Sequence, residues 1–168
     1  MKKIWTIFVL IFALIFVLGG CTKIKVPEIS IEDELKQYTN YPDFVFGCMY
    51  PVADAIENIG HQLVGVDVSL LSNKEWLSRI FGQVAIINAN CDAIIDYDET
   101  LIPENYKYAH SLLLISVNEY KYAMVLLVEF LSPKSNTYDL SKLSKLEDVM
   151  YSATDYLVEA TGLIKENQ

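Results

Sequence analysis

Turn-forming residues are scarce in this sequence. The 168 residues include only seven glycines and five prolines, and long segments separate them. Loop-rich folds and most all-β folds need such residues at frequent turns. The composition therefore argues against both of these classes.

Positive charge is also in short supply. Lys and Arg total 13 against 22 Asp and Glu, which gives a formal net charge of −9. Residues 1–20 contain two lysines and no acidic residue, so a chain without them would carry −11. Such an acidic protein is a poor candidate for binding nucleic acid or anionic lipid surfaces.

Recognisable catalytic motifs are missing from the chain. It has two histidines and contains no Gly-x-Ser-x-Gly, phosphate loop, Cys-x-x-Cys or His-Glu-x-x-His. The repeated Glu-x-x-His of ferritin-like di-iron bundles is absent too. We therefore expect no enzymatic activity and no cofactor.

The N-terminus carries the most specific pattern. Two lysines precede residues 4–18, in which Thr6 is the only polar residue. This order matches the charged and apolar regions of an export signal. As a helix the apolar run would span roughly 22 Å, short of the ~30 Å hydrocarbon core of a bilayer. A cleaved signal is favoured over an uncleaved anchor.

The motif Leu18-Gly19-Gly20-Cys21 resembles the lipobox of bacterial lipoproteins. That resemblance implies a diacylglycerol on the Cys21 thiol, removal of residues 1–20 as the signal peptide, and a membrane anchor outside the cytoplasm. Thr22 is not the aspartate linked to inner-membrane retention, so a two-membrane bacterium would send the protein to its outer membrane. Residues 21–29 form the expected lipidated tether, and residues 30–168 the expected single domain.

Apolar residues at spacings of three and four predict four long helices after a short one at residues 30–38. The first runs from Asp43 and either kinks near Gly47, which is favoured, or begins at Pro51. A capping box of Ser72 and Glu75 starts the second, and Pro103 opens the third. The fourth starts near Leu140. The predicted buried stripes are Phe44, Cys48, Val52, Ile56, Ile59, Leu63 and Val66; Leu77, Ile80, Val84, Ile87, Cys91 and Ile94; Tyr106, Ala109, Leu113, Tyr120, Leu127 and Phe130; and Leu143, Leu146, Met150, Ala153, Leu157, Ala160 and Ile164.

Short connections between these helices favour antiparallel neighbours. The expected fold is all-α, an antiparallel up-down-up-down four-helix bundle with a short extra N-terminal helix.

In an antiparallel hairpin, residues at the same height have numbers that sum to twice the centre of the turn. The turn at residues 67–72 gives 139, which is also the sum for Cys48 and Cys91. We therefore predict a disulfide between these two cysteines. The alternative is two buried free thiols.

Two groups of polar side chains are candidate metal sites. Asp92 and Asp96 lie one helical turn apart, and a hairpin centred near residue 101 would place His110 level with Asp92. These three side chains offer oxygen and nitrogen ligands for a divalent cation. The alternative is a solvated acidic helix end with an isolated histidine. Glu57 and His61, spaced i and i+4, form a second pair that could bind a metal or each other.

Tyrosine is unusually frequent, with eleven in the chain. Those on the last two helices, Tyr106, Tyr108, Tyr120, Tyr122, Tyr151 and Tyr156, can serve as core or as an amphipathic recognition surface. We expect a non-enzymatic, lipid-anchored cell-envelope protein that binds a protein or envelope partner. The alternative is a lipoprotein that binds a small ligand or a divalent metal.

Overall fold

Four long helices make up most of the structure. A computed structural model describes residues 40–64, 67–132 and 138–168. These ranges contain no β-strand, which confirms the all-helical prediction. The long helices are α1 Tyr41–Leu63, α2 Lys74–Ile95, α3 Lys107–Leu131 and α4 Leu140–Glu166, and three short 3-10 helices span Val68–Ser72, Glu99–Leu101 and Glu104–Tyr106.

Helix α1 begins two residues before its predicted start. Asn40 caps it, since the Asn40 side-chain oxygen accepts a hydrogen bond from the Asp43 amide at 2.9 Å. Pro51 lies inside the helix and has no amide proton to donate to the Gly47 carbonyl. The helix nevertheless continues through it, so the alternative start at Pro51 is wrong.

The start of α2 corrects the predicted capping box. Ser72 is the last residue of the preceding 3-10 helix, and Asn73 is the N-cap of α2. The Asn73 side-chain oxygen accepts from the amides of Glu75 and Trp76, each at 3.0 Å. The cap is displaced by one residue because the 3-10 turn at Val68–Ser72 uses Ser72.

Helix α3 begins four residues after the predicted start at Pro103, because a 3-10 turn comes between them, whereas α4 begins where it was predicted. Pro103 precedes the 3-10 turn Glu104–Tyr106, and α3 follows from Lys107. Asp139 caps α4, and its carboxylate accepts from the Ser141 amide at 3.0 Å. The start of α4 at Leu140 is therefore confirmed.

The predicted apolar stripes form the core. Their described members are buried or, for Leu63, Leu77 and Leu143, partly buried against the core. Burial of each large aliphatic side chain contributes about 1.5–3 kcal/mol. The largest fully buried side chains are Tyr120, Met49, Ile80, Ile87, Ile94, Leu113, Leu127, Leu157 and Ile164.

Buried hydroxyl groups in the core have hydrogen-bond partners. Ser116 donates to the Ala153 carbonyl at 2.7 Å and so joins α3 to α4. Thr154 donates to the Met150 carbonyl at 2.8 Å, and its oxygen lies 3.2 Å from the Tyr120 hydroxyl. These bonds remove the cost of burying polar groups inside an apolar core.

One end of the molecule gathers residues from all four long helices or their flanks. The Tyr41 ring at the start of α1 contacts Tyr97, which follows α2, and Tyr106, which precedes α3. The Tyr106 hydroxyl donates to the carbonyl of Asn167, which follows α4, at 2.9 Å. These contacts fix which helix ends lie together.

The segment Glu104–Leu131 is long and apolar enough to cross a membrane, judged by length and composition alone. Half of its most apolar window is buried inside the structure. The predicted signal peptide, the lipidated Cys21, the tether and the short helix at 30–38 lie outside the described residues.

Candidate binding surface

The predicted metal ligands do not come together. Asp92 pairs with Lys121 of α3, while His110 is buried in the core. No group of three His, Cys, Asp or Glu side chains in the described ranges is arranged to hold a metal ion. The structure therefore does not bring Asp92, Asp96 and His110 together as the predicted metal site.

The connection between α2 and α3 explains this difference. Two 3-10 turns, Glu99–Leu101 and Glu104–Tyr106, lengthen it beyond the tight hairpin that the prediction assumed. The partner of Asp92 is consequently Lys121, eleven residues beyond His110. Eleven residues correspond to about 16 Å along a helix. His110 is therefore too far along α3 to share a ligand sphere with Asp92.

His110 instead belongs to a buried aromatic cluster. Its Nδ1 lies 2.9 Å from the Tyr41 hydroxyl, and the two rings meet edge to face at 5.9 Å. Its Nε2 is also buried and has no hydrogen-bond partner among the described residues. Burial lowers the pKa of His110, and Glu99 opposes this shift. Burial therefore favours the neutral form of the imidazole over the charged form.

The second candidate pair forms as an ordinary surface contact. His61 Nε2 lies 3.3 Å from Glu57 Oε1, and the side chain of His61 is well exposed. Surface pairs at i and i+4 contribute only about 0.3–0.5 kcal/mol. This contact belongs to the solvated side of α1.

Cys48 of α1 and Cys91 of α2 are fully buried, and both are free thiols in the structure. The predicted disulfide is thus not formed in it. The structure contains the alternative, two thiols packed as small apolar groups. Burial raises the pKa of each thiol to about 12; at Cys91 the charge of Asp92 adds to the rise, Lys121 opposes it, and Cys48 makes the smallest contribution.

The cavity found between three of the long helices offers little room for a ligand. A cavity of about 30 Å³ lies between α1, α3 and α4, and all of its lining is apolar. Known ligand pockets have volumes of about 300–1,000 Å³, whereas this cavity has space for about one water molecule. Its lining residues are Ile56, Ile59, Gly60, Leu63, Met124, Leu127, Leu146 and Met150.

The tyrosines of α3 and α4 divide between the core and the surface. Tyr106 and Tyr120 are buried, and Tyr151 and Tyr156 are partly buried. Tyr108 and Tyr122 are exposed, and they share one side of α3 with two exposed aliphatic residues. We call this set the outer face of α3; its exposed fractions are 62% for Tyr108, 42% for Ile115, 40% for Tyr122 and 51% for Val125.

Helical geometry makes the outer face of α3 continuous. Tyr108, Ile115 and Tyr122 are spaced by seven residues, close to two turns of about 3.6 residues each. Polar residues on the same side bond to the helix itself: Ser111 donates to the Tyr108 carbonyl at 2.7 Å, and Asn118 to the Leu114 carbonyl at 2.6 Å. Their side chains therefore interrupt the apolar character of this face only weakly.

Residues of α4 hold both exposed tyrosines. The Tyr108 hydroxyl donates to Glu159 Oε1 at 3.3 Å. The Lys145 ammonium lies 4.9 Å from the centre of the Tyr122 ring, a cation–π distance. Because these contacts restrict the rings before any partner arrives, binding would cost less conformational entropy.

A shallow open groove runs along the same helix, lined by Leu114, Ile115, Asn118, Glu119 and Tyr122. Glu119 Oε2 is shielded from solvent and has no hydrogen-bond partner within the described ranges. A carboxylate oxygen in this condition is costly unless a donor reaches it. The groove therefore places one carboxylate beside the apolar side chains of the outer face of α3.

The seven-residue spacing of Tyr108, Ile115 and Tyr122 is visible in the sequence and could have identified this face. The placement of Lys145 and Glu159 beside it depends on how α3 and α4 pack.

Comparison with protein-family models, curated proteins and solved structures gave no significant match.

Proposed function

We propose that this protein is a lipid-anchored bacterial envelope protein that binds a protein or envelope partner through the outer face of α3. In this account Cys21 carries the lipid, the helical body lies outside the cytoplasm, and the protein acts by binding rather than by catalysis. The exposed tyrosines and aliphatic residues of that face are the single observation that carries the proposal.

We further propose that the helices form an antiparallel up-down-up-down four-helix bundle. The support comes from the contacts at one end, where the start of α1 lies against the end of α2 and the start of α3. The end of α4 contacts Tyr106 there as well. The other ends of α1 and α2 are joined by a short connection, which is consistent with antiparallel neighbours.

Two features favour a surface over an internal ligand site. The cavity between α1, α3 and α4 has space for about one water molecule and an apolar lining. The outer face of α3 instead presents Tyr and aliphatic side chains, and Tyr is a residue type enriched at binding hot spots. A surface of this kind fits a macromolecular partner better than a small metabolite.

Affinity capture from detergent-extracted membranes tests the proposal. Ile115→Glu places a charge in the centre of the outer face of α3, and Ser78→Glu places the same charge on an exposed position of α2. We expect the wild type and Ser78→Glu to recover the same partner. Ile115→Glu should lose at least about tenfold in recovery, equivalent to about 1.4 kcal/mol.

Equal recovery by both variants would contradict the assignment of the surface, and recovery of nothing by the wild type would contradict partner binding. Vesicles made of the lipids of the same membrane are the required control. Because the proposed lipid on Cys21 would insert into vesicles by itself, the control uses a chain that begins at Thr22. Binding of this lipid-free chain to the vesicles without any protein partner would replace the proposed partner by lipid.

A further inference from the structure

Two buried free thiols, those of Cys48 and Cys91, have no part in the proposed binding function. Cys48 lies in α1 and Cys91 in α2, and each is fully buried. Both occupy the apolar stripes by which the two helices contact the core.

Aromatic contacts give the register of α1 against α2. Tyr97 contacts Tyr41 at 5.7 Å between ring centres and Phe44 at 4.3 Å. In the proposed antiparallel pair, residues at equal heights have numbers with a constant sum. The sums are 138 and 141 for these contacts and 139 for the two cysteines. Cys48 and Cys91 therefore lie at the same height.

The folded core protects both sulfur atoms. Burial raises the pKa of each thiol to about 12, so almost none of the reactive thiolate is present near neutral pH. Neither sulfur has exposed surface through which an oxidant or a reductant can attack. Any change in the redox state of this pair must therefore occur while the two helices are apart.

We propose that Cys48 and Cys91 are joined by a disulfide during folding, before α1 packs against α2. The oxidant is a disulfide of the thiol-exchange class, R–S–S–R. One cysteine thiolate attacks it and releases R–S⁻, and the second thiolate then displaces the other R–S⁻ from the mixed disulfide. The two cysteines lose two protons and two electrons, and the oxidant leaves as two R–SH.

Formation in the cell rests on the proposed function, because disulfides form in compartments outside the cytoplasm. Once the helices close, the same burial that hinders oxidation hinders reduction. The bond then behaves as a permanent cross-link between α1 and α2.

The state of the native protein is the first test. Protein extracted from membranes in mild detergent is denatured in the presence of a maleimide and digested. The masses of its peptides are then measured by mass spectrometry without reduction. We expect no maleimide on Cys48 or Cys91 and a linked peptide that contains both. Cys48→Ala is the control for labelling, because its Cys91 should react in full. Maleimide on both cysteines of the wild type would overturn the proposal.

Refolding of the same preparation tests whether the disulfide between Cys48 and Cys91 can form, independently of where the protein lies in the cell. The reduced, unfolded chain should form the disulfide when refolded with oxidised glutathione. The chain folded first under reducing conditions should oxidise at least about tenfold more slowly on later addition of the same reagent, since its sulfurs are buried.

Thiols that stay reduced after refolding with oxidant would overturn the disulfide itself. Equal oxidation rates in the two orders of addition would overturn the claim that closure of the helices protects the pair. A disulfide in the refolded protein but not in the native one would overturn its formation in the cell, while the proposed location is tested separately by the acylation of Cys21. Failure of the partner-binding experiment leaves these results unaffected.

Discussion

The Tyr41 hydroxyl lies 2.9 Å from Nδ1 of His110 and joins the start of α1 to the first turns of α3 inside the core. The other ring nitrogen, Nε2, is buried without a hydrogen-bond partner in the described structure. A protonated imidazole would therefore place a charge in a buried cluster, where burial disfavours it more than the charge of Glu99 favours it. Folding therefore favours the neutral imidazole of His110.

Stability should accordingly depend on pH through His110. Burial lowers its pKa in the folded state below the ordinary value of 6.5, with Glu99 opposing the shift. As the pH falls below 6.5 the unfolded chain takes up the proton first, so the free energy of unfolding decreases. The slope for one group cannot exceed about 1.4 kcal/mol per pH unit. Well above pH 6.5 the histidine is neutral in both the folded and the unfolded state, so it no longer reduces the free energy of unfolding.

Urea unfolding at pH 7.5 and 5.5 measures this effect. His110→Gln should lose part of the pH dependence of the wild type, whereas His61→Gln, which alters an exposed histidine, should retain it. Identical pH dependence in the wild type and His110→Gln would exclude the buried imidazole as the cause.

Loss of the Tyr41 hydroxyl should destabilise the protein. Tyr41→Phe leaves Nδ1 of His110 without its partner in a buried position, at a cost of about 1–3 kcal/mol in the free energy of unfolding. Tyr108→Phe removes a hydroxyl whose partner, Glu159, is exposed, and it should cost less than about 0.5 kcal/mol. Equal losses in the two variants would mean that the buried hydrogen bond adds no stability.

The cap of α2 gives a test of local structure. Asn73→Ala removes the side chain that accepts from the Glu75 and Trp76 amides, and it should lower the free energy of unfolding by about 1 kcal/mol. Ser72→Ala should change it by less than about 0.5 kcal/mol. A larger loss in Ser72→Ala would restore the capping box expected from the sequence.

The anchor is tested by the intact mass of the native protein. We expect a chain that begins at Cys21 and carries the mass of attached acyl chains. Cys21→Ser should keep Met1 and the whole N-terminal segment, because serine has no thiol to receive the diacylglycerol and cleavage before residue 21 depends on that modification. A native protein that retains Met1, or one whose Cys21 is a bare thiol, would refute the anchor.

Helix positions and core residues were accessible from the sequence because they depend on local periodicity. The spacing of Ile80, Val84, Ile87 and Cys91 places them on one side of any helix, and such a side must be buried. The start near Leu140 was accessible for the same reason, since the apolar spacing of the last helix begins at Leu143.

Relationships between helices were harder to predict because they depend on the shape of the connections. The two 3-10 turns between Asp98 and Lys107 moved the partner of Asp92 from His110 to Lys121. The connection between α1 and α2 caused no comparable shift, since Tyr97 contacts Tyr41 and Phe44 close to the predicted register.

The burial of His110 and the contacts of Tyr122 with Lys145 also depend on packing. A histidine on a helix has no local signal that separates core from surface. The outer face of α3 was partly accessible, because Tyr108, Ile115 and Tyr122 repeat at seven residues. The same repeat is equally compatible with a buried stripe, and only packing against α2 and α4 decides between them.

Site-specific photo-crosslinking in intact cells tests most directly whether the outer face of α3 binds a partner. A photoreactive residue replaces Ile115 in one variant and Ser78, exposed on α2, in the other. We expect a discrete crosslinked product from position 115 and none from position 78. No product from position 115, or the same product from both positions, would contradict this expectation.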